Sequence, residues 1–187
     1  MNVQPLQTQK IGILGFRDTK IGNVKDFLEE FNAKKGYVTV QLFDAKNVAG
    51  SQHLYFAAVN ALNAFGKQIN ISNNLEVEAL LYASAQRQIT KAVEMLGLKN
   101  DTSEIAALIF TKNDSQKERD TQLVIDLVPG KRDDTVLVLT PEKVKNIKNL
   151  FDISELEFEA CLKSKGMEHE TLVDLVIERM ALLVIKS

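Results

Sequence analysis

Between Gly50 and Phe65 the chain places Leu54, Ala57, Ala58, Ala61, Leu62 and Phe65 three and four residues apart, the spacing that lines one face of an α-helix. Apolar positions this dense predict a buried helix, with Ser51 as its N-cap. The segment before it reads as strand, helix, strand. Ile11 to Phe16 and Tyr37 to Phe43 are apolar and rich in β-branched residues, and Val24 to Phe31 between them repeats apolar residues at helical spacing.

After the polar stretch Ser72-Asn73-Asn74 the helical pattern resumes. Asn73 and Glu76 have the spacing of a capping box, and Val77, Leu80 and Leu81 continue it. A break near Ser84 precedes a second stripe of Ile89, Ala92, Val93 and Leu96, closed by Gly97, so the pair predicts a helical hairpin or a kinked helix. Ala106 to Phe110 and Leu123 to Val128 read as two further strands, with the polar Lys112 to Gln122 as a loop or short exposed helix and Pro129-Gly130 as a turn. Val136 to Leu139 extends the sheet on this reading. Thr140-Pro141 and Ser154-x-x-Glu157 each open a short helix. Glu170 to Lys186 predicts a final helix with Leu172, Val173, Val176, Ile177, Met180, Ala181 and Val184 on one wide face. Leu175 and Leu182 lie off that face, which suits either a partner surface or a helix sandwiched inside its own fold.

A chain of 187 residues with 45% apolar and 26% charged residues suits one globular domain. It contains no run of eighteen apolar residues and opens without the order of a signal peptide, so the expectation is a cytoplasmic protein away from the membrane. The single cysteine, Cys161, leaves no internal disulfide and no cysteine-based metal framework. With a net charge of −2, contact with nucleic acid has to come from a local basic patch.

Catalytic chemistry finds little support. Gly12 and Gly15 lie within a strand, and no third glycine opens a helix as a dinucleotide site requires. His53 and His169 stand far apart and in no metal-ligand spacing. Glu155, Glu157 and Glu159 read as a solvated helix surface. Cys161 as a nucleophile with His53 as its base is the one hydrolase arrangement available, against a reading of Cys161 as a small core residue. No metal or cofactor is expected.

The segment that stands out lies at the helix break. Gln86, Arg87, Thr90 and Lys91 share a helical face opposite Ile89, Ala92 and Val93. Ser84, Gln86, Arg87 and Gln88 offer donors and acceptors while Lys67 and Lys91 add positive charge. That is the equipment of a site for phosphates and unpaired bases, and equally that of an ordinary solvated face.

Three quoted stretches resemble one family. Gln52-His53-Leu54-Tyr55-Phe56-Ala57-Ala58-Val59-Asn60-Ala61, Leu75 to Ser84 followed by Arg87-Gln88-Ile89, and Thr171 to Arg179 are similar, in order and spacing, to the archaeal PRPK-binding-protein family, the regulatory subunit of the KEOPS tRNA-modification complex. The likeness runs from about Ile11 to the end and is weakest over 112–138. It implies a single α+β domain with a small mixed sheet surrounded by several helices and no active site of its own. It also implies two partners, the complex's small kinase-like ATPase subunit and the single-stranded CCA end of tRNA, in support of threonylcarbamoyl modification of adenosine. Under the resemblance Ser84, Gln86, Arg87 and Lys91, with Lys67, fall in the tRNA-end segment, and Ile147, Leu172 and Val176 fall at the kinase contacts. A protein-only adaptor is the alternative in which RNA plays no part.

Overall fold

A computed structural model of the protein describes residues 10–183. Strand β1 (Lys10–Arg17) leads into helix α1 (Val24–Lys34) and strand β2 (Thr39–Asp44). Helices α2 (Gly50–Lys67), α3 (Leu75–Ala83) and α4 (Ile89–Leu96) follow, then strand β3 (Ile105–Thr111), helix α5 (Asp114–Leu127) and the short strand β4 (Lys131–Arg132). Helices α6 (Pro141–Leu150), α7 (Glu155–Cys161) and α8 (Glu168–Ala181) complete the described chain.

The class is α+β, with helices around a four-stranded sheet of order β2-β3-β1-β4. Its pairings are antiparallel throughout rather than mixed. The reason lies in β3. The strand–helix–strand unit of β1, α1 and β2 sends its two strands in the same direction, but β3 inserts between them and pairs antiparallel with both.

Every residue of β3 is buried. Ile105, Ala107 and Ile109 enter one core, with Leu14, Phe16, Val40 and Leu42 of the other strands, Phe31 of α1 and Val124 of α5. Ala106, Leu108 and Phe110 enter a larger core built with α2, α3, α4, α6, α7 and α8. Alternate side chains of a strand point to opposite faces, and with both faces covered the sequence runs apolar without alternation.

Four local expectations are corrected. Leu123 to Val128 is not a strand but the last part of α5, which begins at Asp114 because Asn113 Oδ1 accepts the Gln116 N–H at 2.9 Å. Asp120 and Val124 are buried one turn apart, so helical packing against the sheet overrides the β-branched appearance of the run. Val136 to Leu139 does not extend the sheet; Asp134–Leu137 forms a 3-10 turn, capped by Asp133 Oδ1 accepting the Thr135 N–H at 2.9 Å. Ser51 and Asn73 do not cap: α2 and α3 follow Ala49 and Asn74, neither with a side-chain cap bond. The caps at Thr140 and Ser154 are present, the hydroxyls accepting from Lys143 N at 3.3 Å and Glu157 N at 3.1 Å. α8 ends at Ala181, with Leu182 and Leu183 in a turn, and the rest of the expected helix, 184–186 with Val184, lies outside the described residues.

Candidate functional site

The break near Ser84 is a tight elbow between α3 and α4. Ser84 is fully buried, and its hydroxyl donates to Leu81 O at 3.1 Å. Ala85 takes the left-handed conformation (φ 51), and Gln86 N donates back to Leu81 O at 3.1 Å. These bonds satisfy the carbonyls that a helix leaves open at its end. Behind the elbow sits His53, completely buried on α2. Its Nδ1 accepts the Ala49 N–H at 3.1 Å, so Nε2 carries the proton and donates to Ala83 O at 2.7 Å. Burial pushes the His53 pKa down to about 4, against the Ala83 hydrogen bond and with a smaller push from the Lys143 charge.

The outer side of the elbow is open. Arg87, Gln88, Thr90 and Lys91 are exposed and Gln86 is half-buried. Arg87 Nη1 donates to Leu183 O, just past α8, at 3.3 Å. On α4 only Ala92 and Leu96 are buried, whereas Ile89 and Val93, one turn apart, are 50% and 45% exposed. The expected buried stripe thus holds only half of its members, and α4 presents exposed apolar side chains as well as a cation. Helical spacing groups all four residues and contains no signal for which pair faces the core.

Of the RNA candidates, Gln86 and Arg87 lie in the elbow before α4 and Lys91 in its first turn, so the single helical face expected for them is not formed although Arg87 and Lys91 are both exposed. Ser84 stands behind the elbow as the helix cap, buried from solvent. Lys67 is elsewhere: it ends α2, fourteen residues past His53, roughly 21 Å along the helix axis at 1.5 Å per residue.

The kinase-contact candidates change character. Ile147, Leu172 and Val176 are all fully buried and belong to the larger core of the chain itself. Leu175 is buried as well, so α8 is sandwiched within its own fold and these side chains are out of a partner's reach. Apart from Tyr37, which stands alone before β2, the exposed aromatics form a pair on α2, where Tyr55 and Phe56 are 48% and 40% exposed and meet edge to face at 5.7 Å between centroids. Both lie in the Gln52–Ala61 stretch, where the apolar spacing records the buried face of the helix and carries no signal for its outer one.

The Cys161 and His53 arrangement does not exist. Cys161 is exposed at the end of α7, whereas His53 is enclosed with both ring nitrogens committed and has no lone pair left to act as a base. Of the α7 carboxylates, Glu157 accepts from Arg179 Nη2 at 2.7 and 2.8 Å and Glu155 pairs with Lys148 at 2.8 Å, while Glu155 and Glu159 are exposed as the solvated reading expects. Among the described residues no cluster of metal-ligand side chains occurs, and no helix is long and apolar enough to cross a membrane.

Comparison with known proteins points the same way as the order of motifs. The family described as kinase binding protein CGI-121 matches residues 18–183. A relative from Methanocaldococcus jannaschii, named Regulatory protein Cgi121, is 27% identical over 175 residues, covering 94% of this chain and 98% of the relative.

Proposed function

The chain belongs to the family of kinase binding protein CGI-121, and from that premise we propose that it is a cytoplasmic, non-catalytic subunit of the KEOPS complex that binds the small kinase-like ATPase and the single-stranded CCA end of tRNA. In that role it supports threonylcarbamoyl modification of adenosine in tRNA. The observation that carries the RNA half of this reading is the elbow surface, where the exposed Arg87 leads into the first turn of α4, with Lys91 on one exposed side of that helix and Ile89 and Val93 on another. Unpaired bases bind by stacking on flat or apolar side chains while cations meet the phosphates. A rigid elbow, fastened from behind by His53, holds these groups in place without a loop that must order on binding.

For the kinase-like partner, the exposed Tyr55 and Phe56 replace the buried trio as the docking surface. Exposed aromatics on a rigid helix are characteristic anchors of protein interfaces. Replacing both by alanine leaves the core untouched. The double variant should melt like the parent and lose at least roughly tenfold in affinity for the kinase-like ATPase, about 1.4 kcal/mol or more. A folded double variant that still co-purifies with the ATPase at full yield removes the aromatic pair from the interface.

A further inference from the structure

A second feature lies apart from both surfaces. A cleft of about 520 Å³ opens between the 3-10 turn Ala45–Asn47, the loop before β3 and the first turn of α6, a size in the range of small-molecule sites. Its walls are fixed by the chain. Asn146 Nδ2 donates to Lys46 O at 3.2 Å and Asn47 Oδ1 at 2.8 Å, and Thr102 Oγ1 donates to Asp44 Oδ2 at 3.2 Å.

Lys143 lines this cleft and is only 7% exposed. Its ammonium donates to Val136 O at 2.8 Å. That uses one of three donors, and among the described residues no other acceptor is hydrogen-bonded to it. Burial lowers its pKa to about 8, although Glu104 and Asp44 favour its charge; neither carboxylate reaches ion-pair distance. A buried ammonium with unused donors is costly unless something completes its shell. The same cleft wall holds Lys46 and Lys99 and the carboxylates Asp101, Glu104 and Glu142, none of them in an ion pair among the described residues.

Unpaired cations and unpaired carboxylates in one cleft select by charge pattern. A plain anion gains from the ammonium groups and is repelled by the acids, and a plain cation meets the reverse. A ligand bearing both charges satisfies both sets. We propose that this cleft binds a small zwitterion, a free α-amino acid or a dipeptide, whose carboxylate occupies the unused donors of Lys143 and whose ammonium faces Glu104.

The test is an amide NMR titration of the full chain with the twenty free amino acids and glycylglycine, beside N-acetyl-glycylglycine, glycylglycine amide and inorganic phosphate. At least one zwitterion should shift the amides of Asn47, Lys143 and Asn146, and its blocked forms should bind tenfold or more weakly. Lys143→Met and Glu104→Gln should each weaken binding by a similar factor. If Lys143→Met loses its cooperative melt, Glu104→Gln alone decides. No shift with any zwitterion, equal binding by the blocked forms, unchanged binding in the folded variants, or shifts with phosphate alone would each overturn the proposal.

Discussion

His53 Nε2 donates to Ala83 O at 2.7 Å, tying the start of α2 to the end of α3 one residue before the elbow. The group works only as a neutral ring, and its pKa of about 4 lies below the 6.5 of an unperturbed histidine. As pH falls the unfolded chain takes up the proton first. Stability from this residue is therefore complete above about pH 6.5 and is lost toward pH 4, a total on the order of 3 kcal/mol. Urea unfolding of the wild type should show midpoints dropping across that window, and His53→Gln should flatten the drop. Parallel pH curves for the two proteins would contradict the assignment.

A comparable clamp holds the α2–α3 connection. The fully buried Glu78 carboxylate accepts Ile71 N at 3.0 and 3.1 Å and Ser72 N at 2.7 Å. Glu78→Ala strands those amides and should cost about 2 to 3 kcal/mol. Hydrogen exchange should accelerate at Ile71 and Ser72. A loss below about 0.5 kcal/mol would show that water replaces the carboxylate at no cost.

Two strand glycines separate cleanly. A Cβ on Gly15 would lie 2.5 Å from Asp133 O and 2.6 Å from Val136 Cγ2, whereas on Gly12 it would meet Ile109 Cβ at 3.6 Å, ordinary contact. Gly15→Ala should therefore destabilise by about 1 to 3 kcal/mol and Gly12→Ala far less, as read from thermal melts. Equal effects would show that the turn after β4 yields freely.

Leu172→Glu puts a charge into the core of the chain rather than into an interface. The cost is several kcal/mol, on the scale of the whole stability of a domain, so the cooperative melt should disappear and both binding activities with it. A folded Leu172→Glu protein would overturn the placement of α8.

What the sequence made legible follows from periodicity. The α2 face and the apolar run of β3 are strong because each is buried along its length, and the Thr140 and Ser154 caps are local bonds that a short motif records. The errors lie where tertiary partners decide. Leu123 to Val128 looks like a strand until Asn113 is seen to start a helix well upstream. Ile89 and Val93 share a spacing with Ala92 and Leu96, and only packing against α3 separates the buried pair from the exposed one. Leu172 and Val176 read equally well as core or interface, since both need apolar side chains. Lys143 has no motif at all; its burial comes from a turn, a helix start and a distant loop meeting in space.

The central claim is that the elbow captures a single-stranded tRNA end, and titration of the protein with tRNA, intact and lacking its CCA end, tests it most directly. The intact tRNA should bind with an affinity that falls as salt rises, because cation contacts release counterions from phosphate, and removal of CCA should weaken it at least roughly tenfold, about 1.4 kcal/mol. Arg87→Ala, at an exposed position, should reproduce much of that loss in a protein that melts normally. Equal affinity for the two tRNAs would contradict the account, and absence of binding to either would leave the chain a protein-only adaptor.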